Sequence, residues 1–180
     1  IEHESKKFYP TFSGVLQSIN YYPVSYMKRN EGVAYLALGF GKTIADGEKC
    51  MRISPKYPNI LPQFFSIKAT LQNSQHEFYA MNLDSKKEKK YTLNKYSLRQ
   101  AEVDGTIKWV GSTVSKEDGT IKDSLSEIGT KIVSFSPILK WGNVNFDKIA
   151  LKILSIGKKA LGCPVEIEFA VNIKKNSIPE

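Results

Sequence analysis

Near its C-terminal end the chain switches hydrophobic period, from that of a helix to that of a strand, across Gly162-Cys163-Pro164. In "NFDKIALKILSIGKKALG", Phe146, Ile149, Ala150, Ile153, Ile156, Gly157 and Ala160 recur at i, i+3, i+4 and i+7, which predicts one apolar helix face. Asn145 can cap the start, Gly162 can end the helix, and Pro164 forbids its continuation. The next segment, "PVEIEFAVNI", alternates: Val165, Ile167, Phe169, Val171 and Ile173 face one side, and Glu166, Glu168, Ala170 and Asn172 the other. A late helix that runs straight into a half-buried strand holds the chain to an α+β architecture.

The rest of the chain is strand-rich. "FSGVLQSI", Phe12 to Ile19, reads as a strand, then an aromatic turn at Asn20 to Pro23, a buried strand at Val33 to Leu38, a glycine-rich bend at Gly39 to Gly41, and a short strand at Cys50 to Ile53. The prolines within "KYPNILPQFF" make Lys56 to Phe65 an extended or turning connection. "FSIKATL", "EFYAMNLD" and "KKYTLNKY" read as strand, turn and strand, and "SLRQAEV" as a short helix. Strands are also expected over Thr106 to Ser115 and Lys131 to Leu139, with a turn at Asp118-Gly119. No internal repeat or low-complexity linker divides the 180 residues, so one domain, or one large piece of something bigger, is expected over 1–180.

Charge narrows the partner without choosing it. Twenty-six Lys plus Arg against eighteen Asp plus Glu give +8, which suits nucleotide phosphate, nucleic acid or an acidic membrane surface. Part of the excess lies in "SKKEKK", Ser85 to Lys90, which reads as a solvated hairpin loop. Cys50 and Cys163 have no CxxC spacing or histidine cluster, so reduced, cytoplasmic thiols are expected in place of a zinc site or a disulfide framework. No segment approaches the ~18 consecutive apolar residues of a membrane span. The chain opens without Met, as a piece of a longer protein would.

Several chemistries drop out on spacing. "GFGKT", Gly39 to Thr43, resembles the end of a phosphate-binding P-loop, but Leu36 stands where that loop needs its first glycine. Ile44 likewise occupies the third glycine position of a dinucleotide fingerprint. What remains is a Gly-x-Gly bend where backbone approaches a ligand or another strand. His3 and His76 form no triad by local spacing, and no Ser sits in a nucleophile elbow, so nucleophilic catalysis has no support. Arg52, in the strand after the bend, can face phosphate or a cross-strand acid. "KKYTLNKYSLR", Lys89 to Arg99, has the basic and aromatic texture of a nucleic-acid surface, a texture that ordinary strand formers share. Glu166 and Glu168 can jointly hold a hard cation such as Mg²⁺, which takes oxygen ligands and shares them with phosphates; the wet face of a strand gives the same pattern.

Four stretches in this order carry a more specific signal: "FSGVLQS" (Phe12 to Ser18), "GVAYLALGFGKTIADG" (Gly32 to Gly47), "RISPKYPNILPQF" (Arg52 to Phe64) and "PVEIEFAVNI". Together they resemble the nucleotide-binding, or PEP/pyruvate-binding, domain of phosphoenolpyruvate synthases and pyruvate phosphate dikinases, which has an ATP-grasp fold. The resemblance spans nearly the whole chain, and "NSQHEFYAMNL" and Asp104-Gly105 fit the same branch. It implies an ATP-grasp-like subdomain, a largely antiparallel sheet with a few helices, forming the C-terminal portion of a longer nucleotide-binding domain.

The resemblance also implies Mg²⁺ and ATP. In that family an acidic residue, an apolar residue and a glutamate on a late strand help to hold Mg²⁺ at the ATP phosphates. Glu168 matches the glutamate, and Glu166 stands where relatives commonly have aspartate. The bend with Gly39, Gly41 and Lys42 is expected to line the nucleotide cleft together with Arg52; Lys42 replaces the family's usual glutamate and can meet phosphate as a point charge. The implied parent phosphorylates a histidine on a mobile domain and then pyruvate, so its phosphohistidine and pyruvate-binding domains are the expected partners. The 180 residues by themselves are expected to be inactive. A relative that keeps the domain for nucleotide sensing or protein interaction is the first alternative, and a basic anion- or nucleic-acid-binding module ranks behind it.

Overall fold

The computed structural model describes residues 2–25, 27–83, 92–142 and 144–173. Three antiparallel sheets share one core. The first takes β1 (Lys7–Phe8), β5 (Glu77–Asn82) and β6 (Thr92–Ser97) in the order β1-β5-β6. The second joins β2 (Phe12–Gln17), β3 (Val33–Leu38), β4 (Met51–Ile53) and β10 (Glu166–Val171) in the order β10-β2-β3-β4. The third sets β7 (Gly111–Ser115) between β8 (Ile121–Lys122) and β9 (Gly129–Val133). Helices α1 (Lys42–Ala45), α2 (Ile67–Asn73), α3 (Leu98–Val103), α4 (Ser136–Leu139) and α5 (Phe146–Leu161) connect them. Mixed α+β composition with antiparallel pairing agrees with the expectation from sequence. The Ser85–Lys90 run lies outside the described residues. Among the described residues no helix is long and apolar enough to cross a membrane.

The second sheet organises the core because its strands alternate. Phe12 and Leu16 of β2 pair across to Leu38 and Ala34 of β3, and on the other side to Val171 and Ile167 of β10, so one sheet face is apolar. Val33, Ala34, Leu36, Ala37 and Leu38 are all buried, as suits a central strand, while Tyr35 is half-buried. Phe12 meets Phe135, Phe146 and Phe169 edge-on, with centroids at 5.7, 5.9 and 6.2 Å.

Helix α5 has the expected span, and Gly162 closes it at φ +66°, but its buried stripe is rotated from the predicted one. Phe146, Ala150 and Leu154 are buried, whereas Ile149 and Ile156 are 47% and 55% exposed. Gly157 lies in both stripes: a Cβ there would stand 3.1 Å from Ile167 and 3.3 Å from Val165, so the helix seats on β10 at its smallest residue. Asn145 holds the N-cap place with its backbone carbonyl, which accepts from Ile149 N at 3.1 Å, and makes no side-chain cap. Gly162→Ala is expected to lower stability by about 1 kcal/mol in urea melts, because an L side chain resists the left-handed conformation.

Three expected strands are corrected. "FSIKATL" is mostly helix α2, because Ser66 Oγ accepts from Ala69 N at 3.1 Å and starts a helix that outweighs the β-branched residues. Thr106 to Ser115 begins with a 3₁₀ turn at Ile107–Trp109 and is strand only from Gly111. Lys131 to Leu139 leaves the sheet after Val133: Phe135 turns at φ +54°, and Pro137 sits in the first turn of α4, where its missing N–H costs nothing.

Candidate functional site

The outer face of the second sheet is the floor of a cleft. Register places Glu168, Val15, Tyr35 and Arg52 in one cross-strand row, Glu166, Gln17 and Val33 in a second, and Ala170, Ser13 and Ala37 in a third. The bend at Gly39–Gly41 then lifts the chain over this face into α1. The cleft measures about 1010 Å³, at the upper end of the range for small-molecule sites. Glu166, Glu168 and Gln17 make one polar side, while Pro10, Phe40, Met81 and Leu93 supply apolar surface.

Of the six residues singled out from sequence, four line this cleft: Gly41, Lys42, Glu166 and Glu168. Gly41 can do so closely, since the nearest atom to a Cβ there would be Ser13 Oγ at 3.6 Å. Gly39 is elsewhere. Its φ of +77° and the 2.7 Å between a hypothetical Cβ and the Tyr79 carbonyl show backbone packing on β5, the second of the two readings left open for the bend. Ser13 Oγ donates to the Gly39 carbonyl at 2.7 Å and Phe40 N to the Tyr79 carbonyl at 3.1 Å, so the bend is held from both sides.

Arg52 is also outside the cleft lining, contrary to expectation. Its guanidinium donates to Asn20 Oδ1 at 2.6 Å and to the Tyr22 carbonyl at 2.7 Å, tying the aromatic turn to β4. One backbone carbonyl and one side-chain amide oxygen already engage its planar donors. Thr43, which would complete a P-loop, is 1% exposed and takes no part in the cleft lining.

The two carboxylates differ in their surroundings. Gln17 Nε2 donates to Glu166 Oε2 at 2.5 Å, which orients that carboxylate. Glu168 is exposed and, among the described residues, has no hydrogen-bond or ion-pair partner. Among the described residues no group of three or more His, Cys, Asp or Glu could hold a metal. Two carboxylates still fit Mg²⁺, which keeps several waters and completes its shell with substrate phosphate oxygens.

Lys42 is engaged in the structure. Its Nζ lies 2.7 Å from Asp46 Oδ2, one helical turn on, and 5.4 Å from the Tyr79 ring centroid. Lys95 approaches the same ring at 5.2 Å and meets Glu48 Oε1 at 2.8 Å, and the Tyr79 hydroxyl donates to that carboxylate at 2.9 Å. The hydrogen bond from Lys42 holds the Asp46 carboxyl below its ordinary pKa and in return raises the ammonium's. Lys95, then Tyr79, lower that of Glu48. Burial pushes the Cys50 thiol, also in the cleft wall, up to about 11, which leaves it protonated and a poor nucleophile at neutral pH.

Sequence reasoning missed Asp46, Glu48, Tyr79 and Gln75. Asp46 had a signal, the i, i+4 spacing from Lys42 in "KTIAD", once that stretch is recognised as helical. Tyr79 and Gln75 had none, because both come from the next sheet region; Gln75 caps the end of β3, accepting from Leu38 N at 2.8 Å and donating to Leu38 O at 3.0 Å. Comparison with family models, curated proteins and solved structures returns no match.

Proposed function

We propose that this cleft takes a nucleoside triphosphate as its magnesium complex, and that the chain is the C-terminal portion of an ATP-grasp nucleotide-binding domain in a phosphoenolpyruvate synthase-like phosphotransferase. One observation carries the reading: Glu166 and Glu168, Gly41 and Lys42, far apart in sequence, line one cleft. The charge balance there supports a metal complex over a bare anion. Glu48, Glu166 and Glu168 outnumber Lys42 among the charged lining residues, so phosphate needs a cation to approach the glutamate side. That same balance disfavours nucleic acid as the occupant, despite the overall +8.

In this reading Glu166 and Glu168 hold Mg²⁺, and the apolar surface of Phe40, Met81 and Leu93 takes the flat base. When bound, the metal neutralises charge on the phosphate oxygens. The phosphohistidine and pyruvate-binding domains of the parent supply the phosphoryl acceptors. Nucleotide sensing without transfer is the second reading, favoured by the engagement of Lys42 with Asp46.

Calorimetric titration of Mg-ATP into the chain tests the first step. Binding is expected to vanish with EDTA, and Glu166→Gln/Glu168→Gln is expected to weaken it by about a hundredfold, as for removal of metal-supporting groups. Both side chains are exposed, so the thermal midpoint should not move. Undiminished, metal-dependent binding in the double variant would make the pair the wet face of a strand.

A further inference from the structure

We propose that Asp46 sets how tightly the cleft holds phosphate, by competing for the Lys42 ammonium, with Tyr79 as the positioning residue for that ammonium. The inference rests on the reading that the cleft takes a phosphate-bearing ligand. It begins from a local charge count. Lys42 and Lys95 are matched by Asp46 and Glu48 around one tyrosine ring, with contacts of 2.7 Å for Lys42–Asp46 and 2.8 Å for Lys95–Glu48. Glu77 adds a further carboxylate 4.0 Å from Lys95. In this arrangement the glycine-bend end of the cleft offers no surplus positive charge.

A phosphate that draws on Lys42 therefore meets Asp46 as a competitor for the ammonium's charge. The exchange is accessible: the two side chains are 44% and 38% exposed, and ion pairs at such positions contribute little stability of their own. No core contact has to open. The Tyr79 ring, 9% exposed, stays fixed and carries the ammonium on its face, so Lys42 turns from one oxygen partner to another over a constant support. The Tyr79 hydroxyl has one proton, and its bond to Glu48 at 2.9 Å takes it in preference to Asp46 at 3.4 Å. Asp46 is thus held mainly by Lys42, and its release leaves the Tyr79–Glu48–Lys95 group intact.

The experiment is titration of metal-free pyrophosphate, and separately of Mg-ATP, into wild type, Asp46→Asn, Asp46→Glu, Lys42→Met and the Asp46→Asn/Lys42→Met double variant. Asp46→Asn is expected to tighten pyrophosphate binding by about 1.5-fold to fivefold, the range of one exposed ion pair. Asp46→Glu should return it to the wild-type value, and the double variant should bind no tighter than Lys42→Met alone. Tyr79→Phe, which keeps the ring, should leave the gain in place, and Tyr79→Leu should reduce it. Equal tightening by Asp46→Asn with and without Lys42 would overturn the proposal, since removal of a negative charge would then act without exchange. So would unchanged or weaker binding in Asp46→Asn. If only Mg-ATP binds, the same variants are read on Mg-ATP, and equal affinity in wild type and Asp46→Asn overturns the proposal; if Mg-ATP fails to bind while Asp46→Asn still tightens pyrophosphate through Lys42, the nucleotide reading falls and this one stands; if neither ligand binds any variant, both fall.

Discussion

Phe12→Ala is expected to lower the free energy of unfolding by about 3–5 kcal/mol, the usual cost of truncating a fully buried phenylalanine. Phe12 is 0% exposed and stands where three elements converge: Phe135 ahead of α4, Phe146 at the start of α5, and Phe169 in β10. Each ring presents an edge to it or receives one, so its loss leaves a void bounded by aromatic surface that cannot collapse without moving a helix. Chemical denaturation measures the effect directly. A loss under about 1 kcal/mol would mean that the cluster repacks freely, against the dense packing of protein interiors.

Gly14→Val carries the second large effect and links the core to the cleft. Gly14 pairs with Phe169, and a Cβ at Gly14 would overlap that ring and stand 2.5 Å from the Tyr35 carbonyl. The carbonyl belongs to the central strand and cannot yield, so the strain falls on Phe169 and on β10. A loss of about 2–3 kcal/mol is expected, as for other overpacked sites. Because Glu168 adjoins Phe169 on the same strand, the proposed metal-dependent Mg-ATP binding should weaken in parallel, although the valine side chain adds no charge and points at the Phe169 ring. Full stability, or lost stability with undiminished binding, would sink the idea that Phe169 sets the position of the glutamate strand.

The strands and helix with the plainest periodicity are legible in the amino-acid sequence. Residues 12–17 and 33–38, the short strand that contains Arg52, the helix from Phe146 and the alternation from Val165 all stand close to where the pattern put them. The misses share a cause. At Ser66, Phe135 and Ile107 a local hydrogen bond or a left-handed residue diverts the chain from the state its side chains favour, and hydropathy does not register such turns. The site divides in the same way. Glu166 and Glu168 were placed together by the period of one strand, whereas Arg52 looked available because its acceptors, Asn20 and the Tyr22 carbonyl, lie in a loop that comes close only after folding.

By itself, then, the amino-acid sequence determined the α+β class, the direction of each regular strand's apolar face and the pairing of two carboxylates, because all three follow from side-chain spacing along a single element. Only the tertiary structure decided which strands are neighbours, that α5 seats on β10 at Gly157, and that Lys42 reaches the cleft already paired with Asp46 beside Tyr79. These are contacts between elements distant in sequence or geometries of short turns. They depend on shape and register in the assembled core, quantities that no local period encodes.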